Sequence, residues 1–333
     1  MPIIHTDQLS EALRSQAIRV DERKLLISRL EGSLQEADLS EPTNCRGYGR
    51  IRHFRVETPE PWPSNPLPIV PAASCLDTSR EVVSNAQVFQ NAACNWRCWY
   101  CFVPFNLLAA SAEHSEWLTA DELVAMYLDE PDRPIVIDCS GGQPDLVPEW
   151  IPWMMEALRQ AGLYEQVYLW SDDNLSNDYF WRYLSHDQRR WLASYKNYGR
   201  VACFKGFDAE SFSFNTRAAP NLFDRQFDLF AQLLATGMDL YAYATFTAES
   251  DGGLRQKMIN FVDRLMSLHR LLPLRLVPLQ IQNFGVVRQR VGESKNRALQ
   301  IQEEAILAWN EEIESRFTED ERRLIISDVD VWS

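Results

Sequence analysis

The chain has 333 residues, 46% of them hydrophobic, and a formal net charge of -14 at pH 7. This is enough apolar material for one large domain with an extension, or for two domains, and the acidic balance argues against a nucleic-acid substrate, whose recognition needs a basic footprint. No stretch approaches the ~18 consecutive apolar residues of a membrane span, and the first residues lack the basic-then-apolar pattern of a secretory signal.

Leu9, Leu13, Ile18, Leu25, Leu26, Leu30 and Leu34 fall at mostly helical spacing within residues 7–38, so one or two amphipathic helices are expected first. Arg46, Arg50, Arg52, His53 and Arg55 then gather around Tyr48. They read more simply as a strand with one solvated basic face, or else as a patch for an anionic substrate. Residues 57–71 carry six prolines, which rules out regular helix or central strand and predicts an extended connector over the surface.

A β/α alternation follows. Strands are expected at 86–92, 134–140, 166–171, 200–205, 239–246 and 274–281. Helices are expected from Thr119, which forms a T-x-x-E capping box with Glu122, to about Asp129, then over 148–161, 176–195, 221–236, 253–271 and 296–317. Six strands alternating with helices predict an α/β protein with a parallel sheet, doubly wound or barrel-like. The last residues, 322–333, look like a strand that could cover a sheet edge.

The first of these strands runs into Cys94, Cys98 and Cys101, with Tyr100 directly before the last cysteine. Three thiolates on one short loop can hold three corners of a [4Fe-4S] cluster and leave one iron open, the arrangement that separates a catalytic metal site from a closed one. A structural zinc would need a fourth ligand, and His114, the nearest candidate, stands alone. Cys45, Cys75, Cys139 and Cys203 are scattered singly and read as ordinary buried thiols. Seven cysteines with three committed to one loop suit a reducing, cytoplasmic setting better than a disulfide framework.

The cysteine loop resembles the C-x3-C-x-aromatic-C signature of the radical S-adenosylmethionine (SAM) superfamily. Serine-Gly141-Gly142-Gln143-Pro144 at the end of the second strand resembles that family's GGEP motif, with Gln143 in place of Glu. Lys205-Gly206 with Asp208 partly resembles the lysine segment of the activating enzymes that install glycyl radicals. The resemblance covers roughly residues 86–285 and implies a partial (β/α)6 TIM-like barrel, preceded by a helical and Pro-rich extension over 1–85, a possible substrate cap, and followed by a C-terminal helix and tail over 286–333.

It further implies a cluster on Cys94, Cys98 and Cys101, and SAM held near Tyr100, Gly141, Gly142, Gln143, Pro144, Ser171, Asp172 and Lys205, with Asn174 close by. The implied partners are a one-electron donor such as flavodoxin or ferredoxin and an organic substrate, a small molecule or a protein. Ser171, Asp172 and Asn174 also suit a helix N-cap. A zinc-stabilised module, or a cluster-bearing sensor without catalysis, is the alternative from another class.

Overall fold

The computed structural model describes residues 2–283 and 285–332. Seven strands form the main sheet. β3 (Gly49–His53) is an antiparallel edge on β4 (Asn85–Gln90), after which β6 (Val136–Ser140), β7 (Tyr168–Asp173), β8 (Tyr198–Phe204), β9 (Leu240–Thr245) and β10 (Leu276–Leu279) add one after another in parallel. A second, small sheet joins β1 (Ile18–Arg19), β2 (Lys24–Ser28) and β5 (Ser115–Thr119), all antiparallel. The six parallel strands are the six expected. Spatial order follows chain order, without the reversal that marks a doubly wound sheet.

β6, β8 and β9 are buried along their whole length, as parallel strands covered on both faces must be. One face, with Ile137, Leu169, Ala202, Phe204 and Ala242, packs on the surrounding helices. Alternate residues on the other face, Val136, Tyr168, Trp170, Val201, Tyr241, Tyr243 and Val277, form a separate cluster with Leu67, Ile69, Val70 and Ala72.

That second cluster changes the reading of the proline-rich stretch. Instead of lying over the surface, it dips onto the inner face of the sheet, where Leu67 is 1% exposed and the helix Ile69–Cys75 begins. Its apolar residues gain more from burial than the prolines lose, because Pro71 sits in the first turn, where a helix does not need its N–H. Tyr243 Oη donates to Asn65 Oδ1 at 3.3 Å and fixes the segment to β9.

The first residues also differ from expectation. The helix Thr6–Ala17 forms, but residues 18–28 turn back as the hairpin β1–β2, with Arg23 at φ 52° in its turn. Leu25, Leu26 and Ile27 are buried on both sides of β2, a continuous apolar run that spacing alone cannot distinguish from a helix face. The capping box of Thr119 and Glu122 is present at the start of Ala120–Asp129. The helix expected over 176–195 is two, Tyr179–Tyr183 and His186–Ser194, the second capped by Ser185 and Gln188.

Among the described residues the chain end forms no strand. It makes a helical turn at Glu319–Arg322 and a 3-10 turn at Ile326–Asp328, and Arg275 Nη1 then donates to the Val329 carbonyl at 2.9 Å. Ser333 lies outside the described residues. Among the described residues, no helix is long and apolar enough to cross a membrane.

Candidate active site

The cysteine loop leaves the C-terminal end of β4, the end of a parallel sheet where ligand sites collect. It is held from both sides. From the N-terminal helix, Ser10 Oγ accepts from Asn95 Nδ2 at 2.8 Å and Thr6 Oγ1 accepts from Trp96 Nε1 at 3.1 Å. From the helix Ala209–Thr216, Asn215 Oδ1 accepts from Trp99 Nε1 at 3.0 Å, and Phe212 meets Trp96 edge to face at 5.2 Å. Trp96 and Trp99 thus pack the loop onto its supports. Two guanidiniums clamp the loop backbone, Arg97 Nη1 on the Cys94 carbonyl and Arg290 Nη1 on the Cys101 carbonyl, each at 2.5 Å.

Cys94 is buried, Cys98 and Cys101 are half-buried, and all three are free thiols. Burial pushes the Cys98 thiol up to about 12, with Lys205 opposing and Cys101 and Cys94 adding to the rise. Burial and Cys94 likewise raise Cys101, against Arg290 and Lys205. A metal or cluster would reverse this balance, because a coordinating thiol is deprotonated outright. Among the described residues no three His, Cys, Asp or Glu side chains close on a single ion, and His114 does not join the cysteines. The donor set is three soft thiols that sense one another's charge, which suits a multi-iron cluster whose cysteines bind separate irons better than one zinc ion.

The glycines after β6 allow the next loop to press against this one. Gly141 and Gly142 have φ of 77° and 64°, and a Cβ on Gly142 would lie 2.4 Å from the Asn91 carbonyl oxygen and 2.5 Å from that of Ala93. The Gln143 N–H donates to the Ala93 carbonyl at 2.7 Å. Gln143's side chain is spent on the protein: Nε2 donates to Asp173 Oδ1 at 2.7 Å, and Oε1 accepts from the Asn174 N–H at 2.9 Å. Pro144 opens a buried 3-10 turn, Pro144–Leu146.

Ser171 and Asp172 part company, since neighbours on a strand point to opposite faces. Ser171 Oγ shares a 2.7 Å hydrogen bond with Tyr198 Oη on the helix-facing side. Asp173, on that same side, pairs with Arg200 at 2.7 Å, and Arg200 also grips Asp145. Asp172 faces inward instead. Burial and the charge of Asp138 hold its carboxyl above the ordinary carboxylate range, against the pull of Arg52, Lys205 and Arg50. Asn174 sits beside the loop, its Nδ2 donating to Asn95 Oδ1 at 3.1 Å with Cys94 Sγ at 4.0 Å.

Lys205, at the end of β8, lies among Cys203, Tyr100, Cys98 and Asp172. Burial works to lower its pKa, and Cys203, Tyr100, Cys98 and Asp172 act in the opposite sense, with the balance upward. Tyr100 Oη and Thr245 Oγ1 lie 3.1 Å apart and share a hydrogen bond, which ties the cysteine loop to β9. The structure therefore brings together Cys94, Cys98, Cys101, Tyr100, Gly141, Gly142, Asp172, Asn174 and Lys205. The side chains of Ser171 and Gln143 are turned into the protein.

Several residues of this region carried little signal in the sequence. Asp138 looked like one polar residue in an apolar strand, yet it is 0% exposed and pairs with Arg52 at 3.0 Å. Arg290 and Asn215 lie far along the chain from the loop they hold. A buried acid inside a strand opposite a basic strand was the available clue for the first, and there was none for the other two.

No protein-family model and no curated protein matches the chain. Three solved structures of Streptococcus suis SuiB are similar to it. The one bound to the precursor peptide SuiA is 17% identical over 54% of this chain and 36% of its own, with a TM-score of 0.39. The one bound to S-adenosylmethionine is 18% identical over 53% and 36%, TM-score 0.38, and SuiB alone is 16% identical over 54% and 36%, TM-score 0.37. The match spans little more than a third of SuiB's length, and likeness at this level assigns neither function nor a common fold.

Proposed function

We propose that this protein is a radical SAM enzyme, holding one [4Fe-4S] cluster on Cys94, Cys98 and Cys101 and abstracting a hydrogen atom from an organic substrate, either a small molecule or a partner protein. The observation that carries the reading is position. The loop with three free thiols follows the C-terminal end of the first parallel strand, and the paired glycines, Asp172 and Lys205 occur at the same ends of the next three strands, Asp172 within β7 itself. In this reading the six parallel strands are a partial (β/α)6 barrel. Cys94, Cys98 and Cys101 would hold the cluster, which, with a one-electron donor of the flavodoxin or ferredoxin kind, would supply the electron for reductive cleavage of SAM.

The chain's own residues bind, orient and exclude water. Lys205 supplies an ammonium for the cofactor's carboxylate, and Gly141 and Gly142 let the loop after β6 pack directly on the chain leading into the cysteine loop. Asp172 offers an inward oxygen for hydroxyl groups. Tyr100 and Trp99, 8% and 6% exposed, keep solvent from the loop.

Low-temperature EPR on anaerobically reconstituted, dithionite-reduced protein tests the assignment. A reduced cluster signal that changes on adding SAM is expected. A signal indifferent to SAM would indicate a sensor, and zinc without paramagnetic iron would indicate a zinc-stabilised module. Lys205→Ala should weaken SAM binding about 10- to 100-fold, the loss of one charge-assisted hydrogen bond, while iron content stays the same. An unchanged dissociation constant would remove Lys205 from the cofactor site.

A further inference from the structure

The pleat of β3 divides the basic stretch noted in the sequence. Arg46 pairs with Asp129 at the surface, His53 meets Glu41, and Arg55 is exposed. Arg50 and Arg52 turn to the inner face of the sheet, opposite Val88 and Ala86 of β4. The single solvated basic face expected from sequence is therefore split, with two guanidiniums inside.

Arg52 is satisfied by Asp138 at 3.0 Å. Arg50 is not. It is 6% exposed, forms no ion pair among the described residues, and its buried Nε has no acceptor. Its guanidinium carbon lies 5.2 Å from the ring centroid of Phe102, the residue after Cys101. On the same face Asp138 Oδ1 and Asp172 Oδ1 are buried without donors.

A guanidinium whose Nε is buried without an acceptor is unfavourable, and a folded chain keeps one where something else completes it. The neighbours do not. Arg50, Arg52 and Lys205 set three cations against the two carboxylates of Asp138 and Asp172, so the face carries surplus positive charge within an acidic protein. Burial lowers Arg50's pKa to about 10, helped by Arg52 and opposed by Asp138 and Asp172, which still leaves it charged at neutral pH.

We propose that Arg50 receives an oxyanion of the substrate, a carboxylate or a phosphate, and that Asp138 Oδ1 accepts a hydrogen bond from an N–H or O–H group of the same molecule. Calling that molecule the substrate rests on the radical SAM reading; the oxyanion site itself does not. The planar fork of arginine suits both oxyanions, and Asp138 selects a ligand that also carries a donor.

Thermal unfolding of the full-length protein, wild type and Arg50→Met, titrated with sodium phosphate or sodium acetate against sodium chloride at equal ionic strength, tests this. One oxyanion should raise the wild-type Tm by a few degrees at saturation and leave Arg50→Met unmoved, and which one acts distinguishes phosphate from carboxylate. In chloride, Arg50→Met should itself unfold at a higher temperature than wild type, because the buried unpaired charge is gone. Should the methionine variant not fold, Arg50→Lys keeps the charge without the fork, and its response should be weaker than wild type.

The proposal is overturned if neither anion shifts the wild type, if the variants respond as the wild type does, or if saturating SAM abolishes the response, which would give the site to the cofactor. An Arg50-dependent shift in protein whose reduced cluster ignores SAM would keep the anion site and discard the radical SAM reading.

Discussion

Cys98→Ala is expected to yield a folded protein that keeps no iron after anaerobic reconstitution and cleaves no SAM. The side chain is half-buried at the rim of the core, and truncating a single sulfur there costs about 1 kcal/mol, well within a domain's stability. The loop would hold its shape, since its anchors run through Asn95, Trp96, Arg97 and Trp99. What disappears is one of three donors, and Cys94 and Cys101 alone cannot supply the three corners an open cluster needs. Iron quantitation, EPR and product analysis should fall to background together while circular dichroism stays unchanged. Retained iron with full turnover would sink the assignment.

Arg200→Ala should have the largest effect on stability. Arg200 is 1% exposed and joins Asp145 and Asp173, both nearly as buried, beneath the loops after β6 and β7. Removing one partner of a buried ionic group leaves the others uncompensated, a loss of about 3–5 kcal/mol and a drop of several degrees in Tm. The deficit should depend on pH. Burial already raises Asp145, opposed chiefly by Arg200, so the variant's folded carboxyl would rise further above its unfolded value. A raised folded pKa favours the folded state at low pH and loses that advantage as pH rises through it. The gap between variant and parent that Asp145 contributes should therefore be narrow at acid pH and open as pH rises through the parent's folded value of about 7. A Tm equal to the parent's at neutral pH would show the triad to be dispensable.

The parts of this protein that sequence discloses are those decided locally. Cys94, Cys98 and Cys101 are neighbours in the chain, so their convergence needs no fold to be seen, and the capping box of Thr119 and Glu122 is complete within one turn. The six parallel strands announce themselves by short apolar runs at regular intervals. What sequence hid is decided by pairing. Which arginines of β3 turn inward depends on the register that sets Arg50 against Val88, and nothing within 46–55 fixes that register. Leu25, Leu26 and Ile27 are buried by β5, some 90 residues onward, and so read as helix. Gln143 stands where a family motif places a ligand for SAM, yet whether its amide faces a cofactor or Asp173 depends on the next strand's loop.

The proline-rich segment and the chain's last turn meet on the same side of the sheet. Ile69 and Val70 come from well before the first parallel strand and Ile326 from after the last, and they share one cluster with Tyr168, Trp170 and Tyr241. The two segments act as a single stopper over the inner face. The stopper joins stretches far apart in the chain, so closing that face is a long-range event in folding, and the sheet stays open on that side until both have docked. Losing either segment would unseat the same stopper.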